Sequence, residues 1–351
     1  MSRDTFVSAL VNMKKKFNLS QALFALYEQQ LACGFILSNP AEDKRIREKF
    51  FYDKKSGVTF CLSWNPSRQL RKKHTLLVKR GILVRANGTQ KLVNFDESGR
   101  ACYLCPSNIA IQNPSEVLLP VMLGRKKYFI AANFSPITVN HFVVINRYHK
   151  KQAYSGKTIK TMYDLILKTK GDFRIIFNGI AGASIEAHEH FQMTTRAFPI
   201  ESIRLSARDI FLQTSDFTAW MPSYYTPLWI VEGPLKNPKK TLEWAHQVIA
   251  AWESIDLERH SVNLIACQAG SLFRLFIFPR DTRRLMGPGK TSPMGSFECG
   301  GFFVLSADVK TSKNSGEKEF FQHAGLPEIR KMLSALKPVA GIKSIFDFIH
   351  L

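Results

Sequence analysis

Apolar positions in the first fifty residues recur at helical spacing. Phe6, Leu10, Met13 and Phe17, then Ala22, Leu23, Leu26 and Leu31, predict helix through residues 1–50. From about residue 56 the period drops to two. Val58-Thr-Phe60-Cys-Leu62 reads as a strand broken by Asn65-Pro66, and a basic stretch from Arg68 to Arg85 follows. Turn signals at Asn87-Gly88, Asp96 and Ser98-Gly99 make residues 86–101 a loop or hairpin tip. Within 117–146 two strands are predicted, Tyr128 to Asn133 and His141 to Ile145, joined by a Pro136 turn. A helix over Lys157 to Lys170, a strand over Phe173 to Asn178 and a strand over 187–195 come next. The second half repeats this vocabulary, with a helix at 240–256 and strands at 261–267, 272–278 and 301–305. Helix candidates at 326–336 and 343–349 close the chain. Strands and helices alternate without a short-period repeat, so the expected class is α+β, with an antiparallel sheet in each half.

The composition is globular, with 45% hydrophobic residues among 351. The charge is less ordinary: 49 Lys+Arg against 28 Asp+Glu leave a formal +21. An acidic solvating protein is excluded, and an anionic partner is implied: a nucleic-acid strand, an anionic membrane surface or a phosphate-rich small molecule. The amino end carries Lys14-Lys15-Lys16 but no apolar core of the kind a secretory signal needs. No window approaches the roughly 18 uninterrupted apolar residues of a membrane span. Six scattered cysteines do not make a disulfide scaffold, so a cytoplasmic setting is expected.

The chemistry concentrates in Asn178-Gly179-Ile-Ala-Gly182-Ala-Ser184, followed by His188-Glu-His190-Phe-Gln192. On a strand, period two puts His188, His190 and Gln192 on one face and Glu189 and Phe191 on the other. The Gly/Ser loop before them has backbone N–H groups suited to phosphate oxygens. An imidazole is substantially neutral near pH 7, so it can attack phosphorus and leave again from a phosphoramidate. The bland alternative is a pair of structural histidines. A zincin is excluded, because that motif spaces its histidines His-Glu-x-x-His on a helix. Cys102-Tyr-Leu-Cys105 alone is compatible with redox work, with metal binding or with neither. As half of a zinc site it would need two more ligands, for which His141, His149 and His188 lie downstream.

Taken in order, these segments resemble the nucleotidyltransferase/phosphorylase branch of the histidine-triad superfamily. Its galactose-1-phosphate uridylyltransferases, diadenosine tetraphosphate phosphorylases and GDP-hexose phosphorylases share a His-x-His-x-Gln signature. Asn65-Pro-Ser-Arg68-Gln-Leu-Arg71 is similar to the branch's phosphate-binding stretch, with Asn in place of Ser. Cys102-Tyr-Leu-Cys105-Pro-Ser-Asn108 resembles its zinc knuckle. Asn133 matches the ribose-binding position, and His141 to His149 the following strand and histidine. An uncharacterised bacterial family with Asn-Pro-x-Arg, Cys-x-Leu-Cys and His-x-His-Phe-Gln motifs is closer still in wording. It shares the Ile277-Phe-Pro-Arg280 stretch, so the resemblance spans about residues 56–305.

The resemblance implies a helical segment (1–55), a catalytic lobe (56–200) and a second lobe covering the substrate pocket (201–351). His190 would be the nucleophile and Gln192 the amide that binds the phosphoryl group. Asn178, Gly179, Gly182 and Ser184 would surround the α-phosphate, with Asn65, Arg68, Arg71 and Asn133 as further substrate contacts. Cys102, Cys105, His149 and His188 would bind a structural Zn2+. Arg280 and Glu298 are assigned to substrate contact from the second lobe. The implied partners are a nucleotide or nucleotide-sugar and phosphate, with the chain a monomer or homodimer and no membrane involved. A hydrolase of the decapping type and a non-enzymatic nucleotide or nucleic-acid binder are the alternatives. Nucleic acid is not favoured: Lys14–Lys16, Lys72-Lys73 and Lys126-Lys127 read as solvated faces, and no RNP-like, zinc-finger or helix-turn-helix signature accompanies them. Trp64 is open to stacking on a base or to burial.

Overall fold

The structure is a computed structural model that describes residues 3–72, 92–94, 101–306 and 316–339, with the side chains of 70–72 outside that description. The helix candidate at 343–349, Lys73 and the rest of the basic stretch, most of the 86–101 turn region and the side chain of Arg71 therefore lie outside the described residues. Helices α1 (Arg3–Lys16) and α2 (Leu19–Ala32) realise the amino-terminal pattern, and Asn18 caps α2 by accepting the Gln21 N–H at 3.0 Å. The helical reading of 1–50 overshoots, however. Gly34, at φ +75°, ends the helical path, and β1 (Arg47–Tyr52) is a strand paired antiparallel with β2 (Thr59–Trp64). Its Phe50-Phe51-Tyr52 run favours a sheet over a helix once a partner strand is at hand.

Beyond β2 come α3 (Pro106–Gln112), β3 (Leu119–Leu123), β4 (Lys126–Ala132) and β5 (Phe142–Asn146). They are followed by α4 (Gly156–Lys168), β6 (Arg174–Asn178) and β7 (His190–Thr194). The second half holds β8 (Ile210–Gln213), β9 (Thr218–Trp220), β10 (Trp229–Pro234), α5 (Lys239–Ile255), β11 (His260–Ala269) and β12 (Leu272–Asp281). The short α6 (Ser296–Cys299), β13 (Phe302–Leu305), α7 (Glu317–His323) and α8 (Leu326–Ser334) complete it. An α+β class with a helical amino end is what these elements make.

The two sheets expected of the two halves are one. Ten strands run β3-β4-β5-β7-β6-β11-β12-β10-β9-β8, every neighbour antiparallel, and the halves join where Asn178, Phe177, Ile176 and Ile175 of β6 pair with Asn263, Leu264, Ile265 and Ala266 of β11. Both strands are apolar on both faces, so neither can serve as a solvated edge. A separate sheet sets β13 parallel to β2.

Alternation along the central strands divides the core. Phe191 and Met193 of β7, Ile175 and Phe177 of β6 and Leu264 of β11 pack with α1, α2, α4 and α5. Ile176, Ile265 and Phe276 face the other way, toward the β1-β2-β13 sheet and α8. Trp64 is buried there against Phe321, which settles its reading as packing. A small third cluster of Ile109, Ala131 and Ile145 seats α3 on this second face near β4 and β5. His190 and Gln192 lie on that face too, in register with Ile145 and Val143.

Because one sheet crosses both halves, the chain should unfold in one cooperative step. Phe177→Ala and Leu264→Ala, on opposite sides of the junction, should each lower the same urea transition by about 2–5 kcal/mol. Two separable transitions, with each substitution moving only one, would show the halves to be independent.

Candidate active site

Strand β7 begins at His190, not at 187. The interval from Ser184 to Glu189 is irregular, and within it the side chains of His188 and Glu189 are placed by specific hydrogen bonds. His190 is buried, and its Nδ1 lies 2.8 Å from the carbonyl of His188. A carbonyl can only accept, so Nδ1 carries the proton and the lone pair of the neutral ring is on Nε2. That is the tautomer a nucleophilic imidazole needs.

Gln192 is oriented by similar logic. His141 accepts the Ile137 N–H on Nδ1 at 3.1 Å, so its proton is on Nε2, which donates to Gln192 Oε1 at 2.8 Å. With its oxygen so engaged, Gln192 keeps its amide NH2 as the donor end on the face of His190. Val143 and Ile176 flank Gln192 from the adjacent strands, and Phe297 of α6 packs its ring on His141.

Behind these residues stands Gln152, wholly buried in the segment before α4. Its Oε1 accepts the His190 N–H at 2.8 Å, and its Nε2 donates to the carbonyls of Asn178 at 2.6 Å and His190 at 3.1 Å. One side chain thus ties the end of β6 to the start of β7. Glu189, facing away from His190, accepts from the Tyr128 hydroxyl, the Asn146 amide and the Lys150 ammonium. Periodicity gave no sign of Gln152, which sits in a loop and acts through backbone groups distant in sequence.

The metal-ligand set converges. Ligand atoms of Cys102, Cys105, His149 and His188 all lie within 4.8 Å of one another. His188 donates Nε2–H to the Asn146 carbonyl at 2.8 Å and turns Nδ1 toward Cys102 Sγ and Cys105 Sγ, both at 3.6 Å. His149 Nδ1 is 3.2 Å from Cys105 Sγ. Tetrahedral zinc at usual bond lengths would separate a sulfur and a nitrogen ligand by about 3.6 Å, so the spacing fits such an ion. The Asn146 carbonyl fixes the tautomer that ligation requires. Burial pushes His188 down to about 4, keeping it a neutral donor, and pushes the Cys105 thiol up to about 11. The charge of a bound cation is what would make that sulfur a thiolate. Asn108 braces the turn through the Cys102 carbonyl at 3.0 Å and the backbone of Val93.

Other expectations are met differently. Gly179 and Gly182 press on β11: a Cβ at Gly179 would lie 2.1 Å from Ser261 Oγ, and one at Gly182 2.7 Å from the Asn263 side chain. Close packing therefore requires these glycines. The N–H groups of Gly182 and Ala183 both reach the Gly179 carbonyl, and that of Gly179 the Val262 carbonyl, so they do not point at a ligand. Ser184 is exposed beyond them. Asn178 caps α6, with Oδ1 accepting from the backbone and the hydroxyl of Ser296, both at 2.7 Å. Asn133 Oδ1 accepts the Ser135 N–H at 3.0 Å, and Arg68 donates to the Ser135 carbonyl, which links both to the loop leading to His141. Asn65 is buried and joined to Leu305 through its backbone.

Arg280 and Glu298 are corrections. Arg280 is fully buried and donates to the carbonyls of Met294 and Arg284, so it braces the 284–295 loop from the interior. Glu298 accepts the Gly295 N–H at 2.9 Å and pairs with the buried Lys290 at 3.2 Å, so it is a structural anion.

Residues 85–195 match the family described as Domain of unknown function (DUF4922). Galactose-1-phosphate uridylyltransferase of Bacillus subtilis is 24% identical over 230 residues, covering 56% of this chain and 41% of that protein. The same enzyme of Caldanaerobacter subterraneus is 20% identical over 272 residues, covering 72% of this chain and 48% of its own length. The chain thus spans less than half of these relatives. Yeast Ap4A phosphorylase Apa2 shares the fold nearly end to end. In complex with Ap4A it gives a TM-score of 0.55 at 14% identity over 92% of this chain and 99% of that one; in complex with AMP the TM-score is 0.54. These likenesses are to enzymes of the nucleotidyltransferase/phosphorylase branch of the histidine-triad superfamily. Among the described residues, no helix is long and apolar enough to cross a membrane.

Gln152→Ala would strand one N–H and leave two carbonyls short of a partner in a dry region. Its urea unfolding free energy should fall by about 3 kcal/mol. A loss below about 1 kcal/mol would mean that Gln152 does not hold β6 to β7.

Proposed function

We propose that the chain is a nucleotidyltransferase of the phosphorylase type, working through a nucleotidyl-histidine on His190. The observation that carries this reading is the hydrogen bond from His190 Nδ1–H to the His188 carbonyl, which sets the lone pair on Nε2. In the first step Nε2 attacks the α-phosphorus of a nucleoside diphosphate-sugar or dinucleoside polyphosphate. A P–N bond forms, the P–O bond to the distal phosphorylated group breaks, and that group leaves with the bonding electrons. No proton need leave the ring before attack. In the second step an oxygen of inorganic phosphate or a sugar phosphate attacks the same phosphorus and the P–N bond breaks, restoring the neutral imidazole.

The Gln192 amide donates to the non-bridging oxygens as charge shifts during each displacement, and His141 keeps that end of the amide turned toward them. Arg68 and Arg71 are assigned to phosphate oxygens, for which a guanidinium fork is suited. Asn133 and Ser184 are assigned to the nucleotide, the one half-buried and the other exposed beside the site. Asn65, Asn178, Gly179 and Gly182 shape the pocket through packing and caps. Cys102, Cys105, His149 and His188 would hold Zn2+. Four protein ligands leave no coordination position open to water, so the ion would stabilise structure only.

Incubation with nucleotide-sugars and dinucleoside polyphosphates, with and without phosphate, should give a nucleotidyl adduct by mass spectrometry and a phosphate-dependent product. His190→Ala should remain folded, form no adduct and lose at least about 10^4 of the turnover. A nucleoside monophosphate released at full rate without phosphate would replace the phosphorylase reading with a hydrolase.

Metal analysis of the purified chain should find about one zinc per molecule. Cys105→Ser should lose it together with several degrees of thermal stability. A metal content unchanged by that substitution would place the ion elsewhere.

A further inference from the structure

Three segments distant in sequence meet beside the cysteine-histidine cluster, at the end of the sheet where β4 begins and β5 ends. Cys105 Sγ contacts His149, which brings Tyr103 and the 147–151 segment together. Strands β4 and β5 pair Tyr128 with Asn146, and the Arg147 N–H bonds the Lys127 carbonyl at 3.3 Å, which adds the Arg125-Lys126-Lys127 turn. Arg125, Lys126, Lys127, Arg147, Lys150 and Lys151 therefore gather at that end of the sheet, where the Lys127 ammonium also lies 5.1 Å from the centre of the Phe129 ring. The carboxylates around it are fewer. Glu189 pairs with Lys150, Asp164 under the 124–127 turn pairs with Lys160, and Glu186 is exposed.

Two aromatic rings stand out among these cations. Tyr148 is 68% exposed and Tyr103 is 43% exposed, although both chain neighbours of Tyr103 turn inward. The Arg147 guanidinium lies 5.5 Å from the centre of the Tyr148 ring. Exposed aromatic faces interleaved with cations suit a flexible strand whose bases stack while its phosphates pair with charge. A free phosphate would have no use for the rings. The nucleotide site around His190 gives this surface no task, and its few cations leave most of the +21 without one.

We propose that this surface binds single-stranded nucleic acid, with phosphates on the 125–127 and 147–151 cations and bases on Tyr103 and Tyr148. The surface is separate from the His190 chemistry and stands or falls independently of it.

The test is fluorescence anisotropy of the full chain with a labelled single-stranded RNA of about 12 nucleotides, titrated between about 50 and 200 mM salt. Four phosphate contacts predict a plot of log affinity against log salt with a slope of about −3. K126E/K127E should weaken binding at least tenfold at low salt and flatten the slope. Tyr148→Ala should weaken it about fivefold or more without changing the slope, whereas Tyr148→Phe, which keeps the ring, should bind as the parent does. Each variant is checked for unchanged metal content and thermal unfolding. No binding at low salt, or affinity indifferent to both K126E/K127E and Tyr148→Ala, overturns the proposal. So does a silent Tyr148→Ala with inorganic polyphosphate competing as well as RNA, since the surface would then read charge alone.

Discussion

The carbonyl of His188 sets the tautomer of His190. By accepting from Nδ1 it fixes the proton on the inner nitrogen and leaves nucleophilic character on the outer one. That carbonyl is itself held in place. The His188 ring is pinned between the Asn146 carbonyl and the cysteine pair, and the next backbone N–H, of Glu189, is tied to the Lys150 carbonyl. A cluster that includes His188, two residues before His190, thus reaches His190 through a peptide unit. Gln152 clasps the other side by accepting the His190 N–H.

The fold makes this precision affordable. His190 and Gln192 belong to a strand near the middle of a ten-stranded sheet, and their neighbours Phe191 and Met193 are sunk in the main core. Strand position is therefore set by burial of large side chains, each contributing roughly 1.5–3 kcal/mol, while polar contacts set only orientation. The second half supplies the other wall. Asn178 at the end of β6 caps α6, and Phe297 of α6 packs on His141, which in turn orients Gln192. The continuous sheet is what brings a residue near 178 and one near 296 to the same few ångströms.

The sequence made some of this legible and concealed the rest for physical reasons. The His-x-His-x-Gln spacing carried His190 and Gln192 to one face because strand alternation is rigid, and the four metal-ligand candidates converge as the resemblance implied. Periodicity located most central elements to within a few residues. It failed at β1, where an aromatic run sits beside helical residues and only pairing with β2 decides the outcome. It also read two sheets where the β6–β11 junction makes one, since pairing between halves leaves no local signal. The resemblance assigns Arg280 to substrate contact because the second lobe is expected to cover the pocket, yet that side chain is sealed among main-chain carbonyls. Gln152 and Glu189 had no pattern to announce them, because their partners are backbone and side-chain groups folded in from elsewhere.

The most direct test of the account is the stereochemical course at phosphorus. A substrate made chiral at the α-phosphorus with sulfur in place of one non-bridging oxygen would be turned over, and the configuration of the product determined. Two in-line displacements, first by His190 and then by the acceptor, predict net retention. Net inversion would mean a single direct displacement and would contradict the covalent role of His190.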